Sequence, residues 1–482
     1  MKRPFRVDVL IVFCLLAFVN VYFYHDSGTN GNSRFSLIFA FVRDGHLYID
    51  DYYQTTGGRT GDIAYLNGHF YSDKAIGPTI IGGIAYAPFY WMKRLINHPS
   101  LDPAKMAVTF LVIGLPSTIA GTLMYILCYI WSKSRLRAFW VTMAVGLGTM
   151  CLPYSTVFFS HQFTASLLFS AFFMIVLLKE RSERVKNGYL FLIGLLLGWA
   201  LISEYPVALI ILALVIYYFS IVWKKPAYGY VRSIAWPTLG GAIPVAITLV
   251  YNRLAFNNFF SIGYTNLVDP YFRSEMAKGL MGINWPNLQV LFYTTFHPLL
   301  GIFWQSPVLL LAIAGAVYMI WKRIYRVEAI LAAWIIVSYI VIMSGYFLWW
   351  GGGSLGARHL IAVLPFFSVL LTFVPKRLNW LFGVLGLISI GQMTIATADD
   401  FLGTGSAALK IGSLGFFGYS NIWNHCLYDL VHNVYAHNWG NEFLHLQSWA
   451  ILIPWVVVIA GGAAYFIWDT MKRTGQGDKG IR

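Results

Sequence analysis

Arg34, Asp44, Asp50, Asp51, Asp62, His69, Asp73 and Lys74 fall within forty-one residues of one another near the start of this chain. Carboxylates at that density can accept protons or balance cations. Asp73-Lys74 joins an acid to a base at the edge of an apolar stretch. Glu204, in SEYP, and His161, in YSTVFFSHQF, each stand alone in a long run without other charge. A carboxylate at bilayer depth costs ~2.5–3.5 kcal/mol, so it normally faces a cavity or a partner. In WWGGGSLGARH, residues 349–359, three glycines precede Ser354 and Arg358. Glycines let a backbone approach a ligand closely, and an arginine there suits a bidentate phosphate. Plainer roles compete with these. Outer loops need solvated charges and turns such as Asp44-Gly45 and Asn67-Gly68. A lone histidine beside aromatics, such as His161 or His297, is commonly a hydrogen-bonded structural residue. Histidines 425, 432, 437 and 445 are spaced 7, 5 and 8 apart, which puts no two on one helical turn, so no metal-ligating residues are assigned.

The elements that must hold these groups are membrane spans. The chain has 482 residues, 58% hydrophobic and 11% charged, with mean hydropathy +0.63, which excludes a soluble globular protein. Seven basic clusters lie about positions 2–6, 133–137, 179–186, 224–232, 322–326, 376–377 and 472–482; they hold 22 of the 34 lysines and arginines. By the positive-inside rule these loops are cytoplasmic. The alternate loops then face out, with 14 of the 20 acidic residues and all eleven histidines. The net charge of +14 sits in short loops beside spans, so topology accounts for it and nucleic acid is not a partner. The four cysteines are scattered and outline neither a disulfide framework nor a metal-spaced pair.

About twelve spans are predicted: 8–24, 106–131, 138–155, 160–178, 188–203, 206–223, 233–250, 304–321, 328–347, 359–375, 379–396 and 448–469. The fold class is thus an all-α polytopic membrane protein, one transmembrane domain over 1–482. Its outer regions are 25–104, 251–303 and 397–447. The first span is expected to be an uncleaved signal anchor, because its apolar run ends in bulky aromatics. Residues 34–42 are expected as a short interfacial helix. Residues 75–92 are apolar enough to span, but a span there would invert every later loop, so an interfacial or re-entrant helix is expected.

One span, an acidic outer loop, an interfacial helix and then many spans resemble the GT-C membrane glycosyltransferases. SRFSLIFAFVRDG (33–45), TGDIAYLNGHFYSDKAIGP (60–78), SEYPVAL (203–209), FWQSPVLLLAIAG (303–315) and WWGGGSLGARHLIAVLPF (349–366) are similar to segments of bacterial members, in order along most of the chain. Relatives that transfer aminoarabinose or mannose carry an acidic pair just before the arginine matching Arg34. Here those positions are Gly31, Asn32 and Ser33, and the nearest acid upstream is Asp26, so the base is not carried over by match. The Glu-Lys that precedes the interfacial helix in those relatives has its counterpart in Asp73-Lys74, where the lysine is associated with the lipid phosphate.

The resemblance implies transfer of a sugar from a polyprenyl-phosphate carrier to an acceptor hydroxyl outside the cytoplasm. A carboxylate must take the hydroxyl proton, and cations must stabilise the departing phosphate. Asp62 or Asp50 is expected as base, with Asp73 orienting. Lys74, Arg34 and Arg358 would hold phosphate, and Glu204 and His161 would line the acceptor or sugar pocket. No obligatory cofactor is implied, although some members use a divalent cation near the acids. The expected partners are the lipid-linked donor, a glycan, lipid or protein acceptor, and membrane lipid. The expected location is the bacterial inner membrane, with both termini cytoplasmic and the active face periplasmic or extracellular. The alternative is a transporter or flippase of a lipid-linked glycan. That role favours ionisable residues at the bilayer midplane and paired halves, and neither pattern is visible here. An O-antigen polymerase or ligase would want arginine-rich outer loops, whereas only 12 basic residues lie outside the seven clusters.

Overall fold

The computed structural model describes residues 3–26, 28–56, 58–96, 102–180, 185–225, 229–402 and 422–477. Among these, seven helices are long and apolar enough to cross a bilayer: α4 (Pro103–Ser132), α6 (Ser160–Glu180), α8 (Tyr205–Val222), α9 (Tyr230–Phe256), α11 (Arg326–Met343), α13 (Lys376–Ala398) and α14 (Ser448–Lys472). Shorter apolar helices α7 (Asn187–Leu201), α10 (Pro307–Lys322) and α12 (Arg358–Leu371) fall where further spans are predicted. The region 138–155 differs most from expectation. Its helix, α5, covers only Arg135–Gly146 before turns and a 3-10 turn at Pro153–Ser155, where glycines and Pro153 interrupt the apolar run. The structure therefore supports a multi-pass helical membrane protein without fixing the count at twelve.

Burial separates the helices into two sorts. In the most apolar window of α6, 89% of residues are buried; in those of α9 and α14 the shares are 22% and 17%. Apolar helices left so open offer the surface that lipid covers, while α6 is the axis of the bundle. Close packing beside it relies on absent side chains. A Cβ on Gly194 of α7 would come within 1.8 Å of the Pro237 carbonyl of α9, and one on Gly240 within 2.0 Å of the Phe191 carbonyl. Backbone meets backbone along that seam, as small residues allow between membrane helices.

The described residues of 28–96 are built from regular elements. After α1 (Arg3–Tyr22), the helix α2 (Gly28–Phe39) runs into a π turn, Ala40–Asp44. A hairpin, β2 (Ile63–Leu66) with β3 (His69–Ser72), leads into α3 (Gly77–Ile96). Both expected helices exist, with α2 starting earlier than position 34 and α3 running beyond 92. A two-residue pairing of β1 (Phe23–Tyr24) with β4 (His437–Asn438) ties the end of α1 to the region 397–447. Part of that region, 403–421, lies outside the described residues.

Candidate active site

The hairpin sets the first pair of groups. Asn67 and Gly68 have φ of 51° and 89° and close a two-residue turn, the geometry whose twist suits paired strands. Ile63 then pairs with Ser72, so Asp62 and Asp73 flank the open end. Lys74 Nζ bridges them at 3.1 Å from each carboxylate. Residues 263–268 lie across this end. Val268 N donates to the Ile63 carbonyl at 3.1 Å, and a Cβ on Gly263 would come within 2.5 Å of Asp73 Cα. Asp73 is consequently buried, while Asp62 keeps 31% of its side chain exposed. Burial pushes the Asp73 carboxyl up to about 6 against the pull of Lys74, with the Asp62 charge adding to the rise. Burial would lower Lys74, but its two carboxylates outweigh that and raise it.

Four residues beyond Asp73, the start of α3 rests on the turn between α7 and α8. Gly77 N donates to the Ile202 carbonyl at 3.1 Å, Trp199 Nε1 to the Gly77 carbonyl at 3.0 Å, and a Cβ on Gly77 would meet Ser203 Oγ at 2.1 Å. That turn carries Glu204, extended just before Pro206. Glu204 accepts from the Ser160 hydroxyl and lies 3.1 Å from His161 Nδ1. Burial alone would raise its carboxyl; the His161 ring and the Ser160 hydroxyl prevail and hold it at about 2. Arg34, on α2, links both halves. It donates to the Ala75 carbonyl at 2.5 Å, to Ser160 Oγ at 2.8 Å and to Asn30 Oδ1 at 3.3 Å, and it is fully buried.

The glycine loop supplies the third side. Gly351, Gly352 and Gly356 have φ of 78°, 72° and 62°, a region that strains any residue with a Cβ. Gly351 packs against the Arg358 side chain, where a Cβ would come within 3.0 Å of Cγ. Arg358 stacks over the Phe159 ring at 5.1 Å and donates to Ser354 Oγ at 3.3 Å, while its Nε makes no hydrogen bond among the described residues. The His359 ring packs edge-on against His161 at 5.1 Å and Tyr346 at 4.9 Å, and its Nε2 also lacks a partner there.

These groups line a single cavity of about 790 Å³. It brings together Arg34, Asp62, Asp73, Lys74, His161, Glu204 and Arg358 from the sequence-predicted set. Asp50 is not among its lining residues. His69 Nδ1 lies 2.6 Å from one Asp50 oxygen, and the Phe70 amide donates to the other at 2.7 Å, so this acid braces the hairpin. Sequence reasoning missed Tyr264, Tyr346, His359 and Asp269, which also line the space. His359 stood in the quoted glycine motif beside Arg358; the two tyrosines carried no local signal. Burial drives the Tyr264 phenol well above its ordinary value. The same cavity has apolar lining from Phe272, Met276, Met281, Phe347 and Trp350.

No family model and no curated protein matches the chain in sequence. Solved structures match its fold. ArnT from Cupriavidus metallidurans bound to undecaprenyl phosphate is 13% identical over 97% of this chain and 76% of its own, with a TM-score of 0.51. The same protein in the apo state gives 14% identity, 96% and 75% coverage and a TM-score of 0.48. The Archaeoglobus fulgidus oligosaccharyltransferase in the apo form gives 12%, 92%, 60% and 0.42. The last two superpose too loosely to support an argument. The first shows a shared fold along nearly the whole chain, the GT-C fold that the sequence resemblance implied.

Proposed function

We propose that this protein is an integral membrane glycosyltransferase that moves a sugar from a polyprenyl-phosphate donor to an acceptor hydroxyl on the extracytoplasmic face. The observation that carries this reading is the cavity itself. Its lining joins a carboxylate pair and three cations, one of them Arg358 with an unpaired Nε–H, to apolar side chains, in a space large enough for a lipid-borne sugar. The fold shared with ArnT, which was solved with undecaprenyl phosphate bound, supports the same donor class.

The roles follow from exposure and valence. Asp62, the more accessible acid, takes the proton as the acceptor oxygen attacks the anomeric carbon. The bond from that carbon to the phosphate oxygen breaks, and the carrier leaves with one more negative charge. Arg358 meets it with its unpaired Nε–H, helped by Lys74. Asp73 holds Lys74 and, with Asp62, places negative charge beside the oxocarbenium-like centre. Arg34 has its hydrogen bonds committed to Ala75, Ser160 and Asn30, so it positions Ser160 and Glu204 and adds field at the phosphate. Glu204 and His161 bind hydroxyls of the sugar or the acceptor.

The test is reconstitution with radiolabelled undecaprenyl-phosphate sugars, reading release of undecaprenyl phosphate from wild type and Lys74→Ala. Release that depends on Lys74 is expected. Binding without release, accompanied by movement of a lipid-linked glycan between leaflets, would overturn the transferase reading in favour of transport.

A further inference from the structure

A second cluster of ligand-type groups lies away from the cavity wall. Asp399 caps the end of α13, and His425 and Asp429 sit four residues apart across a π turn, Ile422–Cys426, and the short helix Leu427–Val431. One donor atom from each lies within 4.8 Å of the others, and His425 Nδ1 is 3.0 Å from Asp429 Oδ2. This is the one such group among the described residues. Asp399 supplies the independent observation. Its side chain is completely buried, it points into the cluster, and neither carboxylate oxygen completes a well-aligned hydrogen bond among the described residues. A buried carboxylate in that condition is costly unless a cation meets it. The Cys426 thiol lies against it.

We propose that Asp399, His425 and Asp429 hold a divalent transition-metal cation, zinc first among them. Two carboxylates and an imidazole are three ligands of the kind Zn²⁺ takes at about 2.0–2.2 Å, and the Cys426 sulfur is placed to become the fourth. The ion is structural. It ties the end of α13 to residues 422–431, next to the rim of the cavity. The Asp399 carbonyl accepts from His25 Nε2 at 2.9 Å, and Leu402, three residues on, lines the cavity beside Gly28. None of the three ligands lines the cavity, so the proposal stands apart from the transferase reading.

The experiment strips tag-free, full-length protein with a chelator, equilibrates it with zinc sulfate, removes excess by dialysis and counts metal per chain by mass spectrometry. One zinc per chain is expected, falling at least tenfold in His425→Gln and in Asp429→Asn. Both residues are partly exposed, so these variants spare the packed core. His432→Gln should keep its zinc, and zinc should raise the thermal unfolding midpoint of wild type alone among wild type, His425→Gln and Asp429→Asn. No retained zinc in wild type, or equal losses from His432→Gln and His425→Gln, would overturn the site whatever the catalytic assay shows.

Discussion

At Asp8, beside the basic clusters at 2–6 and 133–137, buried charge is closed upon itself. Arg135 pairs with Asp8 and Asp469, and the Tyr125 hydroxyl completes the shell of the wholly buried Asp8 at 3.2 Å. Around the cavity the same residue types are left incomplete: Asp73 Oδ1, Arg358 Nε and His359 Nε2 are buried with no hydrogen bond among the described residues. The first arrangement cross-links α1, α5 and α14. The second keeps valence in reserve at a cost in stability, which is how reactive sites commonly differ from structural ion pairs.

The comparison breaks most readily at Asp62. Asp62→Asn should reduce release of undecaprenyl phosphate by about 10²–10⁴-fold with the protein still folded; a loss below two orders of magnitude would remove Asp62 as the base. Arg358→Ala should cost about 10²-fold, and Arg358→Lys should recover only part of it, because an ammonium lacks the planar fork. A full rescue by lysine would mean that charge alone matters there. Acidity sharpens the contrast next. The Asp73 carboxyl is raised to about 6, so its charged form appears only as the pH climbs through that value. Release should therefore fall about tenfold per unit below 6 and level off above it. A flat profile from pH 5 to 7 would exclude Asp73 from the reaction. The sign for folding is opposite: an acid raised from 3.8 withdraws stability as the pH rises through 6. Asp50→Asn, outside the cavity, should change release less than tenfold. Arg135→Ala should leave the activity of each folded molecule unchanged while costing about 3–5 kcal/mol in unfolding, since it strands a buried Asp8.

Legibility in the sequence followed the range of the interaction. Apolar runs between basic loops located the long helices, and α3 appeared where a re-entrant or interfacial helix was expected. Asp73-Lys74 stood out because the two are neighbours. The apposition of Asp62 to Asp73 is encoded as well, since Asn67-Gly68 between IAYL and HFYS is a strong hairpin signal, although the dipeptide by itself indicates only a turn. That Asp50 lies off the cavity could not be read from composition, which says nothing about which oxygen a histidine or an amide already holds. Tyr264 and Tyr346 reach the cavity through packing between segments far apart in the chain, and no local pattern announces that. The cluster at Asp399 was hidden for a related reason. Counting histidine spacings overlooked Asp429, one helical turn from His425, and could not foresee a carboxylate from the end of α13.

The lining of the cavity also has a timetable. Arg34 leaves the ribosome roughly 325 residues before His359, an interval of about 15–65 s at ~5–20 residues per second. The hairpin and Lys74 can settle their charges among themselves as soon as they are made. Arg34 must wait for Ser160, and Arg358 comes last of the charged groups. A nascent chain stalled before the glycine loop would thus hold a closed acid–lysine half and an unfinished arginine half. Any guard against premature chemistry is then built into the order of synthesis itself.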